Sequence, residues 1–479
     1  MRNLTLLTDL YELTMMNAYL ETDKADTLAN FDVFFRQKEH LEFAVCAGLE
    51  QVIEYINNLH FDESDIEYLL SLNLFGEKFF NAIKNFKFTG TIRAIREGEI
   101  VFPNEPILSV TAPLWQAQLV ETAILNIINH QTLIATKSMK ICQEAKADVM
   151  EFGLRRAQGP DAGIYGARAA IIGGCVSTSN VLTAKDFNVK AAGTHAHSWV
   201  MSFDSELEAF RTYAKIYPDN IMLLVDTYDT LHSGIPNAIK VFDEAKAQGL
   251  KPTGIRLDSG DLAYLSKKAR KMLDDAGHAD CKICASGDID EYILSSLHQQ
   301  GAKIDIYGIG TKLITSELTP ALGGVYKLSA IFENGKWVPK MKVSDTAEKI
   351  TNPGIKTTYR IYDKDKMAFA DLICLDEEKF DTSKPLTIFH PIETWKQTTL
   401  TEYSMRNLMI DVFRDGKQVY KSPTLREIAD YAKKCKAEFW EEYTRLINPH
   451  TYKVDLSRKL YDMKIALTIE HEKNKGKVQ

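Results

Sequence analysis

Between about residue 147 and residue 330 the chain repeats one pattern six times: a short apolar run ends in small or polar residues, and a stretch with helical spacing follows. The runs are VMEFGLRR (149–156), VKAAGTHAH (189–197), IMLLVDTYD (221–229), TGIRLDSGD (253–261), CKICASGD (281–288) and IDIYGIGT (304–311). Parallel strands joined by crossover helices satisfy that alternation. No sequence repeat of fixed period accompanies it. Six or more strands, each with a polar cluster at its C-terminal end, predict a closed or partly open α/β barrel rather than a doubly wound sheet. Barrels of this kind gather their catalytic groups at that end.

The flanking segments read differently. The spacing of Leu6, Leu10, Leu13, Met16 and Leu20 predicts a helix over 5–21, NFDVFFRQ (30–37) alternates like a strand, and 44–58 reads as helix. Residues 89–122 hold short β-like runs punctuated by Gly98, Pro103, Pro106 and Pro113, as in a compact antiparallel module. A long, interrupted helix is expected from Trp115 to Ala145. Strands are expected in GKWVPKMKVS and TTYRIYDKDKMAFADLICL, a helix from Ser422 to Arg445, and a frayed tail from Lys473. The chain of 479 residues divides accordingly into 1–130, a barrel over 131–335, and 336–479.

Charge and cysteine usage narrow the function classes. Lys plus Arg is 58 against 65 Asp plus Glu, a net charge of −7, which argues against a general nucleic-acid surface while leaving room for a local anion pocket. Asp9 and Glu12 interrupt the apolar N-terminal stretch, so no signal peptide is read there, and no apolar run approaches the about 20 residues of a membrane span. Seven scattered cysteines predict a reduced, cytoplasmic protein. The lone CxxC at Cys281 and Cys284 lacks a second pair and reads as core packing, not zinc.

Each polar cluster has a bland and a chemical reading. Phe152 can offer a ring face, and Arg155 or Arg156 can grip a carboxylate or phosphate in a fork; the same residues also suit a core phenylalanine beside surface arginines. His195 and His197 are two apart, suited to a catalytic or phosphate-accepting role, a metal pair or a satisfied structural role. VDTYDT and LDSGD each carry two acids three residues apart, which fits Mg²⁺–phosphate or ribose binding and equally fits helix N-capping. ASGDID and YGIGT are small-residue turns before helices, able to cradle a phosphate on backbone amides.

Taken in order, TDLYELTM, FFR, EFGLRRA, GTHAHSWV, VDTYDT, GIRLDSGDL and YGIGT resemble the nicotinate phosphoribosyltransferase family, with matches running from Thr8 to Thr311. The resemblance implies an incomplete α/β barrel of about seven strands packed on an α/β domain built from both chain ends, so that 336–479 joins 1–130. It implies a homodimer whose active sites borrow residues from the partner. The implied reaction joins nicotinate to 5-phosphoribosyl 1-diphosphate, giving nicotinate mononucleotide and diphosphate as the first step of NAD salvage. ATP hydrolysis is coupled, which places the enzyme in the ATP-dependent ligase class, and Mg²⁺ is the implied metal, with its ligands unassigned.

By motif match, Phe152 and the Tyr11 of a second subunit sandwich the pyridine ring. Arg256, Arg155 and Thr194 meet the carboxylate, while Asp258 and Asp261 hold the ribose hydroxyls. Gly287, Gly308, Gly310 and Thr311 receive the 5-phosphate, and Arg36 receives the diphosphate across the dimer. His197 matches the transiently phosphorylated histidine, and Asp226 is expected to orient it. Nicotinamide-using relatives carry Asp after the Gly-Thr where His195 stands here, so a carboxylate substrate is expected over an amide. A second departure is Gly287 in ASGDID, where the family more often has Asn. The competing readings are a nicotinamide phosphoribosyltransferase, a phosphate-binding barrel lyase and a non-catalytic nucleotide sensor. No lysine ends a barrel run, which counts against a Schiff-base aldolase.

Overall fold

The computed structural model describes residues 2–344, 346 and 349–475. The chain forms two units, one of Met1–Leu133, Ala321–Pro423 and Asp430–Gln479, the other of Ile134–Pro320 with Thr424–Ala429.

The second unit carries the repeated pattern. Its strands are β1 (Asp148–Glu151), β2 (Ser177–Thr178), β3 (Met222–Leu224), β4 (Gly254–Leu257), β5 (Lys282–Gly287) and β6 (Ile306–Ile309). Their order in the sheet is β2-β1-β6-β5-β4-β3, and every pairing is parallel. The first and last strands of the unit are neighbours, which is the order of a barrel and not of a doubly wound sheet. One seam stays open, between β2 and β3, so the barrel is incomplete. Leu223, Ile255, Leu257, Ile283, Ala285 and Ile309 are fully buried, as strands covered on both faces require. Helices Pro160–Ile172, Ile235–Ala247, Leu262–Asp275 and Glu291–Gln299 follow β1, β3, β4 and β5.

One of the six runs is not a strand. VKAAGTHAH contributes a single parallel bridge, Thr178 to Ala191, and the short β2 before it takes the place in the sheet. Two residues of strand with polar side chains leave too little periodic pattern to be seen in sequence.

The first unit interleaves the two ends of the chain. A seven-stranded antiparallel sheet runs Lys336–Pro339, Gly324–Glu333, Leu28–Phe35, Leu108–Pro113, Thr91–Ile95, Met409–Arg414, Lys417–Gln418. A six-stranded sheet holds Lys356–Tyr362, Ala368–Leu375 and Lys453–Leu456. Gly324–Glu333 pairs with Leu28–Phe35, so the barrel unit ends after Pro320 and not near 335. The helix expected over 44–58 is shorter, Leu49–Asn57, because Ala44–Val45 pairs with Ile100–Val101. The long helix is interrupted at Val120, giving Leu114–Leu119 and Glu121–Ala145. Likewise Ser422–Arg445 resolves into Leu425–Ala437 and Glu441–Thr444. The C-terminal helix Arg458–Lys475 continues through Lys473, and 476–479 lie outside the described residues. No helix among the described residues is long and apolar enough to cross a membrane.

Candidate active site

Register aligns the strand tips of the barrel: Leu224 lies beside Arg256, Leu257 beside Ala285, Gly287 beside Ile309, and Ile309 beside Glu151. The polar residues that follow each tip therefore meet at one mouth.

The paired acids divide their work. Asp229 and Asp261 are N-caps: the first accepts from the Leu231 and His232 amides, the second from the Tyr264 amide at 2.9 Å. Asp261 thus has the capping role through Oδ1, while Asp258 caps no helix. The first acid of each pair turns to the mouth. Asp226, with a side chain 2% exposed, accepts from the Asp258 amide at 2.9 Å and the Ser259 hydroxyl at 2.7 Å through Oδ2. Its Oδ1 is buried with no hydrogen-bond partner among the described residues. Burial raises the Asp258 carboxyl, but the Ser286 hydroxyl bond and the charges of Arg256, His197 and Arg155 outweigh it and hold the group below its usual range. Gly260 makes the LDSGD turn at φ +80°.

Arg256 projects from β4. Its Nη1 donates to Thr194 Oγ1 at 2.6 Å and to the His195 carbonyl at 3.4 Å, and Nη2 lies 3.5 Å from Asp258 Oδ1. Its Nε is a buried donor without a partner among the described residues. A buried guanidinium that meets a neutral hydroxyl and keeps a free N–H is a ready acceptor site for a carboxylate. Phe152, half-buried just past β1, donates its amide to Ile309 at 2.8 Å. Its ring covers Gly308, where a Cβ would fall 2.5 Å from Phe152 Cε2. Arg155 and Arg156 are exposed on the turn Leu154–Arg156.

His197 begins the short helix His197–Met201. Its Nδ1 lies 3.1 Å from Thr227 Oγ1, while Nε2 faces Asp258 Oδ2 at 3.8 Å and Asp226 Oδ1 at 4.0 Å. The hydrogen-bond partner of the imidazole is therefore Thr227, while Asp226 gives Oδ2 to the 258–259 turn and faces Nε2 through Oδ1 beyond hydrogen-bond distance. His195 points elsewhere, its Nε2 accepting the Leu224 amide at 3.2 Å.

The glycine turns separate in the same way. Gly308 lies inside the β6 ladder between β5 and β1, so its small size serves the Phe152 ring and not a phosphate. Gly310 precedes the four-residue helix Thr311–Ile314, and a Cβ there would press on the Phe152 carbonyl at 2.9 Å. Gly287 has φ +118° and backs onto the Asp258 carbonyl, where a side chain would be strained. Cys281 and Cys284 are buried free thiols, raised by burial to about 11 and about 12, and pack the core.

Tyr11 and Arg36 belong to the first unit. Tyr11 is 48% exposed on helix Leu10–Leu20, with its hydroxyl pKa raised by burial first and then by the negative charges of Glu121 and Glu12. Beneath it Glu12, fully buried, is raised to about 7 by burial, against hydrogen bonds from Thr122 and Thr8. Arg36 Nε is buried without a partner among the described residues.

Three residues escaped the sequence reading. Thr227 and Ser286 sit inside quoted motifs, but a hydroxyl beside an acid carries little signal alone. Glu151 is fully buried at the tip of β1, receiving the Thr178 hydroxyl and the Gly153 amide, with burial raising its pKa against those bonds. Its position directly before Phe152 was the one clue. For Mg²⁺, Asp226 Oδ1 and the Asp258 carboxylate stand together, and no cluster of three or more ligating side chains exists among the described residues. That donor set suits a Mg²⁺ that keeps waters and substrate phosphates.

Family models match over most of the chain: the nicotinate phosphoribosyltransferase N-terminal domain at 6–129, the family itself at 147–378 and its C-terminal domain at 355–464. The nicotinate phosphoribosyltransferase of Bacillus subtilis is 46% identical, covering 97% of this chain and 95% of its own. That of Caenorhabditis elegans is 34% identical, covering 97% and 93%. The crystal structure of human nicotinic acid phosphoribosyltransferase superposes with a TM-score of 0.86 at 29% identity, over 96% of this chain and 99% of that one. With near-complete coverage at that identity, the chain belongs to the nicotinate phosphoribosyltransferase family.

Proposed function

We propose that the chain joins nicotinate to 5-phosphoribosyl 1-diphosphate, forming nicotinate mononucleotide and diphosphate, with ATP hydrolysis coupled through transient phosphorylation of His197. The observation that carries the reading is Arg256, seated on Thr194 with a buried, unpartnered Nε. A substrate carboxylate meets the guanidinium with two charged oxygens, whereas an amide offers one neutral carbonyl and turns an NH₂ donor toward a donor. Phe152 offers a ring face beside it, and the exposed Tyr11 of a second copy supplies the other face of the slot, which requires a homodimer.

The pyridine nitrogen carries no proton and needs no base, so the task is positioning and charge stabilisation. As the C1–diphosphate bond breaks, positive charge grows on the sugar and negative charge on the leaving group. Asp258, kept ionised, receives the ribose hydroxyls and faces the cationic sugar. Arg36 of the second copy receives the diphosphate. Asp226 and Asp258, together with substrate oxygens, would hold Mg²⁺, which would supply charge neutralisation for the diphosphate. Gly287 and the Thr311 turn form the 5-phosphate end.

In the coupling step Nδ1–H donates to Thr227, which leaves the lone pair on Nε2. Nε2 takes the γ-phosphoryl of ATP and ADP leaves; water then cleaves the P–N bond and releases phosphate. This chemistry places the enzyme in the ATP-dependent ligase class, and seven free thiols support a reducing, cytoplasmic setting.

The test measures mononucleotide formation from nicotinate and, separately, from nicotinamide, with phosphoribosyl diphosphate and Mg²⁺, with and without ATP. Nicotinate turnover stimulated by ATP is expected. Nicotinamide turnover would overturn the reading of Arg256, and no turnover of either would favour a barrel lyase or a sensor.

A further inference from the structure

We propose that His195 is a positioning residue whose imidazole takes the place of the missing strand at the barrel seam and so holds Thr194 against Arg256 for recognition of the substrate carboxylate. The proposal rests on the function argued above.

β3 is the last strand on its side of the sheet, and its outer edge meets no strand among the described residues. On the other side of the seam the chain meets β2 in a single bridge centred on Ala191, four residues before His195, in which the Thr178 amide donates to the Lys190 carbonyl and the Ala192 amide to the Thr178 carbonyl. A closed barrel would run a ladder here. Instead, the amide of Leu224, the last residue of β3, donates to His195 Nε2 at 3.2 Å. A buried amide left unmet is costly, and one imidazole meets it.

The ring is built into this seat. His195 is 8% exposed, edge-on to Tyr213 with centroids 4.7 Å apart, and 6.2 Å from Phe210. Burial lowers its pKa to about 4, with the Arg256 and His197 charges acting in the same direction. The ring is therefore neutral near pH 7, with its proton on Nδ1, 3.5 Å from the Ala196 carbonyl, and its lone pair on Nε2 for the Leu224 amide. A protonated ring has no lone pair to offer.

The same residue reaches the substrate slot through its backbone. Its carbonyl accepts from Arg256 Nη1 at 3.4 Å, and the preceding Thr194 hydroxyl accepts from that nitrogen at 2.6 Å. Arg256 is the register partner of Leu224. His195 thus ties loop 193–196 to β3 by its ring and to β4 by its carbonyl, and the Thr194–Arg256 contact lies between those anchors.

The experiment compares steady-state kinetics of His195→Phe, which keeps the volume without an acceptor, and His195→Gln, whose Oε1 can reach the amide. In His195→Phe the KM for nicotinate should rise about tenfold while kcat and the KM for phosphoribosyl diphosphate stay within about threefold. His195→Gln should restore the KM, and its pH profile between 5.5 and 8 should match the wild type. His195→Leu serves if the Phe variant does not fold. Backbone amide exchange at Leu224, read without substrate, should be faster by about tenfold in the Phe variant and not in the Gln variant. An unchanged KM for nicotinate in His195→Phe, or equal losses in Phe and Gln variants across all parameters, would overturn the proposal. Wild-type protein that fails to turn over nicotinate would remove the functional reading it rests on; Leu224 exchange would then still decide whether the ring closes the seam.

Discussion

Both units bury an arginine among carboxylates, and the two sites are finished differently. In the first unit Arg360 is fully buried: Nε and Nη2 grip Asp371 at 2.9 and 2.7 Å, Nη1 holds Glu99 at 2.6 Å, and the guanidinium lies 4.7 Å over the Phe439 ring. Tyr452 donates to Asp371, while Tyr431 and Arg406 donate to Glu99. Glu105 beside them is pushed well above its usual range, by burial first and then by the Asp371 charge, and so stays protonated. In the barrel mouth Arg256 has one short bond, to a neutral hydroxyl, and both Arg256 Nε and Asp226 Oδ1 lack partners among the described residues. Every guanidinium nitrogen of Arg360 is paired and holds structure together, whereas Arg256 Nε and Asp226 Oδ1 stand at the mouth where a ligand can meet them.

The largest effect should come from breaking the closed network. Arg360→Leu leaves buried Asp371 without a cation and Glu99 with Arg406 alone, and should cost about 3–5 kcal/mol, read from the urea midpoint. KM values of the folded fraction should be unchanged. A neutral outcome would erase the contrast between the two sites.

Next is the pH dependence from His195. Its folded pKa is about 4, against about 6.5 in an unfolded chain. Between those values the unfolded state binds a proton that the folded state does not. Stability is therefore full above pH 6.5 and falls by roughly 3 kcal/mol as pH drops to 4. His195→Gln should flatten that slope in denaturation curves at pH 7, 6 and 5, and an unaltered slope would place the titration elsewhere.

Gly308→Ala pushes a methyl into the Phe152 ring, at a cost of about 1–3 kcal/mol. The KM for nicotinate should rise with little change for phosphoribosyl diphosphate, because only the ring face is displaced. The smallest effect sharpens the division between paired acids. Asp261→Ala removes a helix cap and should cost about 1 kcal/mol in stability with turnover within about twofold. Asp258→Ala should abolish turnover.

The barrel was legible because strands covered on both faces read as apolar runs, and five of the six runs are strands. The miss at Val189 has a physical cause. That segment supplies one bridge and a side-chain acceptor in place of a ladder, and neither leaves a periodic pattern. The boundary after Pro320 was hidden because Gly324–Glu333 finds its partner, Leu28–Phe35, almost three hundred residues earlier. At the site, residue types in the motifs pointed to the mouth, and Asp226, Asp258, His197, Thr194 and Arg256 meet there. Orientation was not legible: which acid caps, which nitrogen of His197 faces Thr227, and that Gly308 makes room for a ring depend on tertiary contacts.

The most direct test is the KM for nicotinate of Arg256→Gln, measured beside its KM for phosphoribosyl diphosphate. Loss of a buried charged partner for the carboxylate should raise the first by about a hundredfold and the second by less than about threefold. An unchanged KM for nicotinate would contradict the assignment of Arg256 as the carboxylate site.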